Sequence, residues 1–247
     1  MARTPLLLSL FTFAFADLPE EARRLSSLSQ GELRDTIFET YLKRRYNHEA
    51  RKLKARKPPG ELAFSLEQIY DILGRVAMED AGGGGSQNVF TLGDFASLLG
   101  KDASPSLVDF MCLLNVLIWQ NENLRFIHLR MRDHFAFRYA QTVLLSGDPE
   151  TRDTAAWALW EIPDERVVPL LIEALKDPYE YARGSAAGAL GRIGDVRAIE
   201  PLSKLLSDTT PVVSSYGKRI CEIAASALQM IGTPEALAAI KMRRSRQ

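Results

Sequence analysis

The chain has 247 residues, of which 46% are hydrophobic, 25% charged and 9% aromatic. Those fractions exclude wholesale disorder and allow one large domain or two smaller ones. Lys and Arg together number 31, as do Asp and Glu, so no global field draws the chain to nucleic acid or acidic lipid; only a local patch could do so. Cys112 and Cys221 stand far apart within apolar helical patterns, which excludes a disulfide framework and a cysteine zinc site and fits a reducing compartment.

The first segment carries two readings. Arg3 precedes the apolar run Leu6–Ala16, and Ala14-Phe15-Ala16 has the small-x-small form of a signal-peptidase site. The run is shorter than the roughly 20 apolar residues that span a bilayer. Pro5 also stands at the first-turn position of a helix over 4–16, so the same residues read as a buried helix. Periodicity does not separate a secretory segment from a core helix. Residues 31–47 read as a second helix. Residues 48–60 are polar, basic and end in Pro58-Pro59-Gly60, which predicts a loop.

Across 43–57, Lys43, Arg44, Arg45, Arg51, Lys52, Lys54, Arg56 and Lys57 are opposed by one acid, Glu49. A nucleic-acid face would interleave aromatic residues for base stacking, and only Tyr46 is available. The patch is therefore expected to be a solvated helix end and loop. His48-Glu49 is a single His-Glu pair, where a two-metal centre needs several, so neither metal nor cofactor is expected.

Ser65 with Gln68 three residues later has the form of a capping box and opens a helix to about Glu79. Gly82-Gly83-Gly84-Gly85-Ser86 reads as a flexible excursion. Phe90 reads as a short strand residue, and Thr91 with Asp94 starts a helix to Leu99. Pro105 opens another through about Leu114. The apolar runs Val116–Gln120 and Leu124–His128 flank Asn121-Glu122-Asn123 and predict a β-hairpin. A long helix over 130–145 follows. Helices and then a hairpin make a winged-helix-like unit at about 62–128.

The remainder repeats. Ala155-Ala156-Trp157-Ala158-Leu159-Trp160-Glu161-Ile162 aligns with Ala186-Ala187-Gly188-Ala189-Leu190-Gly191-Arg192-Ile193, 31 residues on. A third copy begins at Ala224-Ala225, with extra residues falling around Ser214–Ile220. A period near 30 with helical patterning predicts a solenoid of helix pairs. Pro149, Pro178 and Pro211 read as helix openers behind the caps Asp148, Asp177 and Thr210. Gly194 and Gly232 read as left-handed stops. Six helices follow, at about 149–162, 165–176, 178–193, 196–207, 211–231 and 234–243. Leu159, Leu190 and Leu228 hold one equivalent position and should be buried.

Ala182-Arg183 with Ala186-Ala187-x-Ala189-Leu190-Gly191-x-Ile193-Gly194-Asp195, then Ala198-Ile199-x-Pro201-Leu202, resembles the short HEAT-type repeats, also called phycobilisome-lyase-like HEAT repeats. That resemblance implies a fold and is nearly silent about function. Thr4-Pro5-Leu6-Leu7-Leu8-Ser9-Leu10 resembles the start of the helical domain that follows the core of NACHT-type signalling ATPases. Leu33…Ile37-Phe38-x-x-Tyr41-Leu42-x-Arg44-Arg45 is similar to that family's next helix. Leu124-x-Phe126-Ile127-His128-Leu129-x-Met131-x-Asp133-x-Phe135-Ala136 is similar to its Phe-x-His-x-x-x-Gln-Glu-Phe-x-Ala ending of the winged helix, with Arg132 and Asp133 in place of Gln-Glu. The resemblance covers about 4–145 and places the apolar N-terminal run in the core. It implies that Pro5 packs near an adenine and that His128 reaches a β-phosphate, but only when a partner ATPase core supplies the nucleotide. No G-x-x-x-x-G-K-[ST] phosphate loop occurs, and Gly82–Gly85 is followed by Ser86-Gln87 without lysine.

The expected protein is mainly α: a helical region at 1–61, a winged-helix-like region with a capping helix at 62–146, and a solenoid of about three HEAT-type repeats at 147–247. The expected function is non-enzymatic: a protein-interaction and regulatory arm of a NACHT-like signalling ATPase, the C-terminal piece of a longer or split protein, cytoplasmic and not membrane-bound. Tyr179, Tyr181 and Arg183 are the candidate partner surface, early in a helix where a solenoid presents its ridge. The alternative is a free-standing HEAT-repeat adaptor or a phycobilin-lyase-like chaperone. Nucleic-acid binding through 43–57 ranks last.

Overall fold

A computed structural model describes residues 5–17, 20, 23, 25–56, 62–82, 89–100, 104–162, 164–212 and 218–244, with the side chains of 5–8, 82, 146, 243 and 244 excepted. Two compact units divide the chain. The first comprises residues 1–76 and 87–135, the second residues 77–86 and 136–247. Among the described residues no helix is long and apolar enough to cross a membrane.

In the first unit, α1 (Pro5–Phe15) lies against α2 (Gln30–Lys54). Leu10, Ala14 and Phe15 are buried on one side of the pair, and Ile37, Phe38, Tyr41 and Leu42 on the other. The apolar N-terminal run is thus helical and contributes to the core. A capping box starts α2: Glu32 N–H donates to Ser29 Oγ, and Ser29 N–H donates to the Glu32 carboxylate.

The loop expected from residue 48 is instead helix as far as Lys54. No glycine or proline interrupts that stretch, and Glu49-Ala50-Arg51-Lys52-Leu53-Lys54 are strong helix formers. Arg51, Lys52 and Lys54 also stand in the last turn, where the helix dipole favours cations. Pro58-Pro59-Gly60 lies outside the described residues.

The rest of this unit runs α3 (Leu66–Gly82), Phe90, α4 (Leu92–Leu99), α5 (Pro105–Leu113), β1 (Leu117–Gln120), β2 (Asn123–Phe126) and α6 (Leu129–Ser146). Only the part of α3 up to Val76 and the part of α6 up to Phe135 belong to it. Ser65 and Gln68 cap α3 reciprocally, and Thr91 and Asp94 do the same for α4. The strands pair antiparallel with Leu117 opposite Phe126 and Gln120 opposite Asn123. Asn121 turns the corner at φ 57, a left-handed conformation that asparagine tolerates. Phe90 exchanges both backbone hydrogen bonds with Leu124, at 2.9 and 2.8 Å, so it adds a third, one-residue strand on the β2 side. Phe126 lies 6.1 Å from Phe90 and 6.3 Å from Phe135, ring centre to ring centre, in the middle of this core.

The second unit is an α-solenoid. Its helix pairs are α7 (Pro149–Ala158) with α8 (Val167–Ala174), α9 (Glu180–Ile193) with α10 (Ile199–Leu205), and α11 (Ile220–Ile231) with α12 (Pro234–Arg244). The leading helices α7, α9 and α11 stack side by side in that order. Leu159, Leu190 and Leu228 are all fully buried, as the repeat register requires. Gly194 (φ 73) and Gly232 (φ 71) end α9 and α11 in the left-handed region.

Asp148 accepts from the N–H groups of Glu150 and Thr151 at the start of α7. Helix ends differ from the sequence expectation by a few residues where the last turn tightens to 3-10 geometry, as at Leu159–Glu161.

One expected helix is wrong in kind. Residues 211–231 do not form a single helix: Pro211 pairs with Arg219 in an antiparallel bridge, and Val212 N–H donates to Lys218 O at 2.8 Å. α11 begins only at Ile220, where Arg219 and Glu222 cap it. Thr210 is not a helix cap but donates its backbone N–H to Asp208 at 3.0 Å. The inserted residues between, 213–217, lie outside the described residues.

Within this unit α6 contributes residues 136–146, and the guanidinium of Arg166 lies 4.5 Å over the Phe137 ring.

Candidate functional site

The leading helices carry the most distinctive chemistry of the solenoid. An arginine in the first turn of α7 or α9 reaches an aspartate 25 residues on; Asp177 lies just before α9, whose N-cap is Tyr179 rather than the expected Asp177, and Asp208 follows α10. Arg152 donates to both carboxylate oxygens of Asp177, at 2.6 and 2.9 Å, and to Gly147 O at 2.7 Å. One repeat on, Arg183 donates to Asp208 at 3.0 Å and to the carbonyls of Asp177 and Pro178. The Arg152 guanidinium holds the Asp177 carboxyl below the usual carboxylate range, outweighing burial. Arg183, expected on the partner surface, thus turns its Nε and Nη1 into the repeat ladder.

Tyr179 and Tyr181 lie side by side. Their rings stack at 5.0 Å. The Tyr179 phenol is pushed up by desolvation first, then by Tyr181 and the carboxylates of Asp153, Glu150 and Glu180. It stays a hydrogen-bond donor at neutral pH. Asp153 accepts from Ser185 at 2.5 Å, and burial raises its carboxyl.

Further along the same helices, the guanidinium of Arg192 lies 4.6 Å over Trp157 and 4.4 Å over Trp160. Arg192 is exposed and both indoles are half-buried. The counterpart of Trp157 one repeat later is Gly188, where a Cβ would lie 3.8 Å from Cζ3 of the indole. The tryptophan–arginine stack was absent from the candidate sites read from sequence. The signal for it was the exchange of tryptophan for glycine at two equivalent repeat positions, Trp157 for Gly188 and Trp160 for Gly191.

In the first unit, His128 opens α6. Its Nδ1 accepts the Arg130 N–H at 3.0 Å, and its carbonyl accepts from Met131 and Arg132. Burial, then Arg130, push the imidazole down, against a smaller opposite pull from Asp133. The ring is thus neutral at pH 7, with its proton on Nε2. The side chain of Pro5, the other residue of the expected nucleotide sensor, lies outside the described residues.

The structure splits the basic patch. Arg44 pairs with Asp17 at 2.5 Å, Arg45 donates to Leu113 O, and Lys52 pairs with the buried Glu49 at 3.0 Å. Lys43, Arg51, Lys54 and Arg56 are exposed. Lys57 lies outside the described residues. Cys112 and Cys221 are free thiols, and burial followed by Asp109 raises Cys112. Among the described residues no group of three or more His, Cys, Asp or Glu could hold a metal ion.

Comparison with known proteins bears on the second unit. Residues 141–216 match HEAT repeats. The match takes in α7–α10, where the Arg–Asp ladder and the aromatic stacks lie. The chain is also similar to the phycocyanobilin lyase subunit alpha of Picosynechococcus sp. (strain ATCC 27264 / PCC 7002 / PR-6), at 33% identity over 106 residues. That alignment covers 37% of this chain and 37% of the relative, so the chain spans well under half the length of the curated relative it matches. HEAT repeats are stacked helix pairs that offer extended binding surfaces.

Proposed function

We propose that this chain is a non-enzymatic protein-interaction module, cytoplasmic, whose repeats receive a protein partner on the aromatic face of the leading helices. The observation that carries the reading is the Trp157–Arg192–Trp160 stack on the same helices as the Tyr179–Tyr181 stack. Tryptophan, tyrosine and arginine dominate the energetics of protein interfaces. Stacking fixes the Arg192 guanidinium before any partner arrives, which lowers the ordering cost of binding.

The finer reading is that the first part of the chain is the regulatory arm of a NACHT-like signalling ATPase, with a helical region at 1–61 and a winged-helix-like region at 62–146 preceding the repeats at 147–247. The order α3, Phe90, α4, α5, β1, β2, with Phe90 beside β2, is what a winged helix requires. His128 supports the sensor role through its tautomer. With Nδ1 occupied by a backbone N–H, Nε2 carries the proton and can donate to a phosphate oxygen held by a partner core.

The test places a photo-crosslinking phenylalanine analogue at position 181 or 128 of the intact chain in its native cells. The reading expects a protein adduct at 181 that disappears when Trp157 and Trp160 are both replaced by alanine. At 128 it expects an adduct with a protein or domain that contains a phosphate loop. No protein adduct at either position refutes it.

A second reading is favoured by the similarity to a phycocyanobilin lyase subunit: an adaptor or chaperone that holds a tetrapyrrole against the same aromatic face. Titration with phycocyanobilin separates the two. Stoichiometric binding that shifts the pigment's absorbance and quenches the tryptophans selects the second reading; an unchanged spectrum removes it.

A further inference from the structure

A cleft of about 270 Å³ lies between α1 and α2, lined by Phe13, Asp17, Arg44, Asn47, His48 and Arg51. Four of these six residues come from α2 at helical spacing, so they form one stripe along two turns. The stripe offers two guanidinium groups, a carboxamide and an imidazole, all hydrogen-bond donors. The single carboxylate, Asp17, is already paired with Arg44. Arg51 has no ion pair among the described residues, which leaves the cleft with one uncompensated positive charge. Helix-dipole complementarity accounts for Arg51, Lys52 and Lys54 in the last turn, but not for Arg44, which stands well before it.

Phe13 closes the other side. It is 43% exposed, unusual for phenylalanine, and is held edge-on against Tyr41 at 5.3 Å with the Arg45 guanidinium 5.9 Å from its centre. A donor-rich floor beside a fixed apolar ring suits a ligand with an anionic head and an apolar body. The volume falls just short of the range usual for whole drug-sized ligands, about 300–1,000 Å³, so the cleft fits a head group.

We propose that this cleft binds a phosphate monoester. Arg44 and Arg51 grip the phosphate oxygens through charge-assisted hydrogen bonds. Asn47 adds a carboxamide donor and His48, whose Nε2 lies 4.0 Å from Glu49 Oε1, an imidazole, and Phe13 packs the attached organic group. Asp17 is the built-in competitor. Its carboxylate, 73% exposed, occupies Arg44 in the empty cleft and gives way when the phosphate arrives. An ion pair that exposed holds weakly, so its displacement costs little.

The experiment titrates the intact chain with phenyl phosphate, inorganic phosphate and a single-stranded DNA 12-mer by calorimetry, at two salt concentrations. The proposal expects saturable one-to-one binding of phenyl phosphate, with inorganic phosphate competing more weakly because it lacks the group that packs on Phe13. Arg51→Gln should weaken phenyl phosphate on the order of tenfold, the value of one charge-assisted contact. Asp17→Asn should tighten it, by removing the competitor; a general loss of structure cannot move the two variants in opposite directions. The proposal is overturned if neither phosphate saturates the chain, or if Arg51→Gln leaves the affinity unchanged. It is equally overturned if only the oligonucleotide binds, with a steep salt dependence, since the stripe is then a nucleic-acid contact.

Discussion

Two glycines of one helix should respond oppositely to the same substitution. Gly188 and Gly191 both lie inside α9, so replacing either with alanine gains up to about 1 kcal/mol of helix propensity. The difference lies in what the new methyl group meets. At 188 the nearest atom is Cζ3 of Trp157 at 3.8 Å, ordinary van der Waals contact. At 191 a Cβ would lie 2.6 Å from the backbone Cα of Ala227 and 2.8 Å from its Cβ.

Met230 Cε, also at 2.6 Å, can swing aside, but the α11 backbone cannot. α9 and α11 would have to part by several tenths of an ångström along a face that buries Leu190, Ala224 and Leu228. Overpacking of this kind costs about 1–3 kcal/mol, which exceeds the propensity gain. Gly188→Ala should therefore stabilise the repeats by about 0.5–1 kcal/mol and Gly191→Ala destabilise them by about 1–2 kcal/mol, estimates built from the propensity and overpacking ranges. Urea unfolding followed by tryptophan fluorescence reads the difference, since Trp157 and Trp160 lie in the repeats. Two kcal/mol moves the midpoint by about 1 M when m is about 2 kcal/mol/M. If Gly191→Ala is as stable as the parent chain, or Gly188→Ala is the weaker of the two, the close approach of α9 and α11 is wrong.

Leu190→Ala should cost about 2–5 kcal/mol, as truncation of a fully buried leucine does; a loss below about 1 kcal/mol in the same urea assay would contradict the repeat register. Asp177→Asn should cost about 1–3 kcal/mol at neutral pH by breaking its paired contact with Arg152. Arg152 depresses the Asp177 carboxyl, so that stabilisation is complete above its ordinary value of 3.8 and is lost as pH falls through the lower folded value. The two proteins should therefore converge in thermal stability in strong acid, and a constant gap across the pH range would refute the pairing. Asp153→Asn should do the reverse. Burial raises that carboxyl, so its charged form weakens the fold at neutral pH. The amide should be the more stable at pH 7, with the advantage fading as acid protonates the parent carboxyl; thermal melts at both pH values decide it.

What lay open in the sequence was local. Ser65 with Gln68 and Thr91 with Asp94 cap their helices within four residues of chain, and Gly194 and Gly232 take the left-handed turn that only glycine adopts cheaply. The repeat register was equally legible, because buried Leu159, Leu190 and Leu228 recur at a helical solenoid's period. The fold class followed from the same periodicity.

Contacts between segments distant in the chain were not legible. The helix expected from Pro211 gives way to a bridge between Pro211 and Arg219, because backbone groups there find partners across an insertion rather than along a helix. Arg183 reads as a surface residue until Asp208, 25 positions on, is seen to receive its guanidinium. Arg192 reads as an ordinary helix-end cation until α7 brings two indoles beneath it. Local propensity and caps depend on neighbours within one turn. Where an arginine's donors end depends on which helix the tertiary fold places beside it, and only the packed structure of the repeats decided that.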